Sequence, residues 1–204
     1  MTATPHVIVV GAGIIGASIA RYLAVAGARV TVVEAGEAGG VATRNSWAWI
    51  NATSGNPESY FRIRHRSMEE WRRVEREVLG LPVTWSGSLI WNRPTKELEA
   101  FAAERIAWGY DLRRVGPAEI RRLEPELAAT PDLALHVPSE GSVEPVAAAL
   151  AFLADARRLG ASLVANTRVE RLEMSGGRVV GIRTSEGVID ADEVVVASGT
   201  GSPQ

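Results

Sequence analysis

The chain opens with a continuous run of β-branched residues, His6-Val-Ile-Val-Val10, followed at once by Gly11-Ala-Gly13-Ile-Ile-Gly16. An apolar run without alternation is the pattern of a strand buried on both faces of a parallel sheet. The spacing predicts a helix over Ala17–Ala26, with Ile15, Ile19, Tyr22 and Leu23 on its packing side and Gly27 as its stop. Arg29–Val33 reads as a second strand with Glu34 at its end. Each glycine has a separate reason. Gly11 permits the tight turn out of the strand, Gly13 lets a pyrophosphate approach the backbone, and Gly16 lets the helix lie close to the strand. The helix start offers N–H groups and a positive dipole end to phosphates. This makes Gly11, Ala12, Gly13, Ile14, Ile15 and Gly16 candidates to line a dinucleotide. Glu34 can accept both hydroxyls of an adenosine ribose, and its charge repels a 2′-phosphate, which disfavours NADP. The motif is specific because it lies between two strands with an acid at the end of the second.

Composition narrows the remaining chemistry. The 204 residues are 46% apolar and 23% charged, with a net charge of −2, as in ordinary globular proteins. That balance carries no electrostatic footprint for nucleic acid. Cysteine is absent, which excludes disulfides, thiolate metal sites and cysteine nucleophiles. His6, His65 and His136 lack the spacing of a metal motif, so no metal is expected. The apolar stretch Val7–Ala20 is too short for a membrane span and wrongly flanked for a signal peptide, so a cytoplasmic location is the expectation.

NAD and FAD both use such a unit, and the following segment discriminates. Instead of another short helix and strand, residues 34–51 form a long loop. It contains Gly39-Gly40 and the polar stretch Thr43-Arg44-Asn45-Ser46, with Trp47 and Trp49 expected to pack in the core. Hydroxyls and a cation there suit a pyrophosphate. The βαβ unit, the glycine pair and Thr43–Ser46 resemble the D-amino-acid-oxidase-like family of FAD-dependent oxidoreductases, which includes glycine oxidase, sarcosine oxidase and D-amino acid dehydrogenase. Glu140-Gly-Ser-Val-Glu-Pro145 resembles that family's return into its FAD domain, and Val194–Ser202 its strand-then-glycine segment beside the flavin.

The resemblance implies an α/β fold: a Rossmann-like FAD-binding domain of the glutathione-reductase type with an inserted α+β substrate domain. The expected boundaries are 1–57 and 140–204 for the FAD domain and 58–139 for the insertion. It further implies FAD as cofactor, held by the glycine loop, Glu34, Ala35, Thr43, Arg44, Asn45, Ser46, the backbone of Val169 at the adenine, and Ala197 and Gly199. The implied reaction is hydride transfer from the carbon beside an amine or amino-acid nitrogen. No residue is assigned as catalytic. Family members are longer, continuing with a further strand and helix. The chain is therefore expected to be a fragment or half of a split enzyme, with a companion chain supplying the remainder. A non-catalytic nucleotide-binding remnant and an NAD-dependent dehydrogenase are the alternatives; the glycine-pair loop and the late hairpin argue against the latter.

Within the insertion, periodicity predicts a helix over Pro57–Leu79, a hairpin of Val83–Trp85 and Ser88–Trp91 turning at Ser86-Gly87, and a helix over Lys96–Trp108. Strands are expected at Asp111–Val115 and Leu133–Val137, and a short helix over Pro117–Leu123, with Trp85 and Trp91 as core residues. After it come a helix to Leu159 and a strand at Ala161–Ala165. A hairpin over 167–184, a strand at 188–191 and a buried central strand at Glu193–Ala197 complete the reading.

Overall fold

The computed structural model describes residues 4–202 apart from residue 54. Residues 1–3, 54, 203 and 204, which fall in the expected FAD-domain segments, lie outside the described residues. The elements in chain order are β1 (His6–Val10), α1 (Ile14–Val25), β2 (Arg29–Val33), α2 (Val41–Arg44), β3 (Trp49–Ile50) and α3 (Glu58–Glu77). Next come β4 (Val83–Thr84), β5 (Ser88–Ile90), α4 (Thr95–Ala107), β6 (Arg113–Val115), α5 (Pro117–Leu123), β7 (Ala134–Val137) and β8 (Gly141–Val143). The chain continues with α6 (Pro145–Arg158), β9 (Ser162–Val164), β10 (Val169–Ser175), β11 (Arg178–Thr184), β12 (Gly187–Asp190) and β13 (Glu193–Val196). Two compact units form: residues up to Ala48, Glu75–Pro82 and from Glu144 onward make the first, and Trp49–Val74 with Val83–Val143 the second.

The first unit is built on a parallel sheet in the order β13-β1-β2-β9. Alternation sorts its side chains. Ile8, Val33 and Val194 face the antiparallel sheet β10-β11-β12, where they pack with Ile182 and Val169, and Val164 of β9 joins the same cluster. Residues of opposite parity, such as Val9, Val32 and Val195, face the other side. The helices α1 and α6 pack along one another.

Helix α1 starts three residues earlier than the pattern suggests, directly from Gly13, and its buried face is not the expected one. Gly16, Ala17, Ala20, Arg21 and Ala24 are buried, whereas Ile15 and Tyr22 are exposed and Ile19 and Leu23 half-buried. The reason is proximity. A Cβ on Gly16 would sit 1.9 Å from the Gly11 carbonyl oxygen, so only small side chains fit beneath the helix. The bulkier apolar residues are left on the outer side. Arg21 is accommodated because its guanidinium meets Glu77 at 2.8 Å and Asp155 at 3.0 Å. Arg158 also binds Asp155, at 2.8 Å. Burial raises the Asp155 pKa, but the Arg158 and Arg21 hydrogen bonds outweigh it and hold it below the usual carboxylate range.

The hairpin between β10 and β11 forms, with Gly176 and Gly177 both at positive φ. Strand β13 corrects the reading of 193–197 as a central strand. Among the described residues it pairs with β1 alone and forms a sheet edge, with Val196 50% exposed.

In the second unit the expected hairpin at Ser86-Gly87 does not form. β4 pairs with β8, and β5 with β7, so both stretches run antiparallel to the chain at 135–143. They join two different sheets, β3-β8-β4 and β5-β7-β6. Gly87, at φ +74°, carries the crossing, and its N–H donates to the Glu140 carbonyl. A local turn signal loses here to long-range pairing.

The interruption in this ribbon is filled by Glu140, whose side chain has no solvent exposure. Its carboxylate accepts hydrogen bonds from Tyr110 Oη and Ser88 Oγ, and from the Ala52 N–H at 3.3 Å. Burial, followed by the charge and hydrogen bond of Glu140, raises the Tyr110 phenol pKa far above its usual range. Nearby, buried Arg105 lies 4.0 Å from the Trp108 ring centroid and 4.9 Å from that of Phe101, and donates to the Asn56 carbonyl at 3.2 Å. Trp85 is half-buried, with Arg72 stacked over it at 3.8 Å. Trp91 is 39% exposed, contrary to its expected place in the core.

Candidate cofactor-binding site

The site is assembled by chain reversal at the C-terminal ends of β1, β2 and β13. Gly11 leaves β1 at φ +107°, and a Cβ there would lie 2.5 Å from the Ala197 carbonyl oxygen. Gly11 is therefore required twice, for its backbone angle and for the approach of the segment after β13. The Gly11 N–H donates to the Val33 carbonyl at 2.8 Å, and the Ala197 N–H to that of Val10 at 2.8 Å. Gly13 is different. Its backbone is extended, and the nearest atom to a Cβ there would be Thr43 Oγ1 at 3.2 Å. The space in front of Gly13, at the start of α1, is the cradle a phosphate needs.

Glu34 holds the loop before any ligand does. One carboxylate oxygen accepts the Ala12 N–H at 2.8 Å and the other the Gly36 N–H at 3.0 Å. Carboxylate oxygens have several lone-pair sites, so each can still accept a ribose hydroxyl. Gly36 is a participant the motif did not announce; its only sequence signal is its place two residues after the acid. Ala35 is exposed between them.

The 39–46 segment is not a plain loop. Val41–Arg44 forms a helical turn entered by Gly40 at φ +56°. The Gly39 N–H donates to the Ala12 carbonyl at 3.0 Å, and a Cβ on Gly40 would lie 3.2 Å from Gly13 Cα. A Cβ on Gly39 would lie 2.9 Å from Val146 Cγ1. Both glycines thus serve packing against the phosphate loop and α6. Thr43 is buried, and its Oγ1 accepts the Ile14 N–H at 3.0 Å, capping the start of α1. A threonine hydroxyl that accepts one hydrogen bond can still donate another. Arg44 is exposed and lies 3.7 Å from Glu37. Asn45 Nδ2 donates to the Val41 carbonyl, and Ser46 Oγ accepts the Ala48 N–H, where Ala48 has φ +46°. Trp47 corrects its expected core role: it is 88% exposed. Trp49, in the second unit, is also exposed.

Val169 opens β10 and packs on Ile182 and Val33. The preceding chain is tied to β2, since the Thr167 N–H donates to the Glu34 carbonyl at 2.9 Å. Gly199, at φ +57°, has open space where a Cβ would be. The structure thus brings Gly11–Gly16, Glu34, Thr43 and Ala197 into one cluster, with Arg44 ending the adjoining helical turn and Asn45 and Ser46 following it. Their cradle, donor set and acid fit a dinucleotide. No group of His, Asp and Glu suited to a metal occurs among the described residues, and no helix there is long and apolar enough to cross a membrane.

The family described as FAD dependent oxidoreductase matches residues 6–204. The chain belongs to that family. Its cofactor is FAD, and relatives and solved structures agree in kind. Over 206 residues the chain is 29% identical to a glycine oxidase of Bacillus licheniformis, covering 96% of this chain and 54% of that protein. It is 31% identical to a monomeric sarcosine oxidase of Streptomyces avermitilis, covering all of this chain and 54% of the relative. The crystal structure of a glycine oxidase from Bacillus cereus superposes with a TM-score of 0.87 at 25% identity, covering 98% of this chain and 56% of that one. The chain therefore spans about half the length of the relatives it matches.

Proposed function

We propose that this chain is the nucleotide-binding half of an FAD-dependent enzyme that oxidises an amine or amino acid at the carbon beside nitrogen. The observation that carries the reading is the combined cradle: Gly13 open toward the helix start, Thr43 capping Ile14, and Glu34 clamped at the ribose position. When bound, FAD would supply the two-electron acceptor; the protein contributes binding, orientation and exclusion of water. Backbone N–H groups of the α1 start and the Thr43 hydroxyl would hold the pyrophosphate, Glu34 the adenosine ribose, and the Val169 backbone the adenine. Arg44, Asn45 and Ser46 would lie toward the flavin, with Ala197 and Gly199 beside the dinucleotide. The second unit, through residues 58–139, would form the substrate side. A cytoplasmic location and a companion chain completing the enzyme belong to the same proposal. The related oxidases of glycine and sarcosine support the substrate class.

The first test is the absorption spectrum of the purified protein, followed by denaturation to release bound cofactor. Stoichiometric flavin bands are expected, followed by turnover in a screen of small amines and amino acids. A colourless protein that also fails to take up added FAD would overturn the reading. It would leave the non-catalytic remnant as the better description.

A further inference from the structure

Among the described residues, positive φ falls almost entirely on glycine. Turns with open space where a Cβ would stand, such as those at Gly27, Gly109 and Gly160, use it. Two residues with side chains depart from this habit, Ala48 at φ +46° and Asn166 at φ +55°. Left-handed residues other than glycine collect at ligand sites, where the surrounding structure imposes them. Ala48 is tied to Ser46, which already has a place at the candidate site. Asn166 lies at the Glu34 end, and the reaction and cofactor described so far give it no role.

The backbone around Asn166 is fixed to the end of β2. Val164 of β9 pairs with Val33. Beyond that pair the two segments stay joined. The Glu34 N–H donates to the Val164 carbonyl at 2.9 Å, the Thr167 N–H to the Glu34 carbonyl at 2.9 Å, and the Asn166 N–H to the Gly36 carbonyl at 3.3 Å. Gly36 in turn donates its N–H to the Glu34 carboxylate at 3.0 Å. Thr167 is buried, and its hydroxyl braces the turn by donating to the Ala165 carbonyl at 3.2 Å. Asn166 itself is exposed. It is thus bonded directly to the residue that clamps Glu34.

A ribose held on Glu34 carries its base one glycosidic bond away. A carboxamide offers an uncharged acceptor and donor side by side. Asparagine is therefore a side chain that matches the amino group and N7 of adenine together. We propose that Asn166 reads the adenine of the bound dinucleotide, accepting from its amino group and donating to N7. The inference rests on reading this cluster as an FAD site. Asn166 is then a specificity residue for the base, beside the Val169 backbone, and its left-handed conformation is kept for what the side chain binds.

The test is Asn166→Gly, read by titration calorimetry of the full, flavin-free chain. The probes are FAD, ADP and inosine diphosphate, in which a carbonyl replaces the adenine amino group. Glycine accepts the left-handed conformation, so the melting temperature should stay near the parent's. The variant should bind FAD and ADP about tenfold more weakly than the parent. The parent should prefer ADP to inosine diphosphate by about tenfold, and the variant should bind the two alike. That ratio does not depend on how much of the variant is folded. Equal FAD affinity in parent and variant, or a parent indifferent to the amino group, overturns the proposal and leaves the flavin reading intact. A chain that shows the expected ADP ratios but takes up no FAD overturns the oxidoreductase reading and leaves adenine recognition standing. A parent that binds neither FAD nor ADP removes both.

Discussion

The glycine loop at 11–16 and the buried carboxylate at Glu140 are two ways of satisfying polar groups, and they differ in what they leave available. Around Glu140, three donors from distant parts of the chain converge on one carboxylate that has no exposure, so its hydrogen bonds are spent on holding strands together. In the glycine loop, side chains have been removed. The polar groups are backbone N–H groups, and side chains engage that of Ala12, through Glu34, and that of Ile14, through Thr43. The first arrangement is a structural anchor; the second leaves backbone donors at a helix start, the arrangement that suits an anion. The contrast teaches that a buried, fully bonded charge marks architecture, whereas absent side chains beside a helix start mark a ligand.

Substitutions can break this contrast. The largest expected effect is Glu140→Ala, which strands Tyr110 Oη, Ser88 Oγ and the Ala52 N–H. It should cost on the order of 4 kcal/mol, measured by urea unfolding, with the flavin spectrum of whatever remains folded unchanged. A loss below about 1 kcal/mol would deny Glu140 its anchoring role. Next is Gly16→Ala, whose Cβ would collide with the Gly11 carbonyl. About 3 kcal/mol of stability and all FAD binding should go together. Gly13→Ala sharpens the comparison, because its Cβ meets only Thr43 Oγ1 at 3.2 Å. Stability should change by less than about 1 kcal/mol, while FAD affinity falls roughly tenfold or more. If titration with FAD shows no difference, Gly13 does not face the phosphate.

Burial, then the Arg113 charge, depresses the His136 pKa in the fold, so the unfolded chain takes up that proton first. Stability is therefore present above the ordinary histidine pKa and falls as pH drops below it. Asp155, also depressed, withdraws its contribution at still lower pH as it becomes protonated in the fold. Melting temperature against pH should show both losses, and His136→Gln should remove only the upper one. The smallest effect is Thr43→Val, which deletes the cap on Ile14 and should cost about 1 kcal/mol, visible in thermal melts.

The elements of the glycine-rich βαβ unit were legible because each depends on neighbours in sequence. β1, β2, Gly11, Gly13, Gly16 and Glu34 all lie within one βαβ turn, where spacing alone dictates geometry. The gly-gly hairpin at 176–177 was legible for the same reason. Three features were not. The helix α1 turned its small residues inward and its isoleucines outward, because the closeness of β1 outweighed hydrophobicity. The Ser86-Gly87 turn signal yielded to pairing with 135–143. Trp47 stands in solvent despite its apolar character.

What the sequence by itself determined is a glycine-rich βαβ unit and the family it resembles, since these are written in local spacing and backbone freedom. Only the tertiary structure decided that Thr43 caps α1, that Gly36 joins Ala12 on Glu34, that Glu140 sits at the crossing of two sheets, and that β13 pairs with β1 alone among the described residues. Each of these joins residues whose meeting depends on the packing of separate elements. No local propensity encodes which distant donor reaches a given carboxylate, or which strands become neighbours.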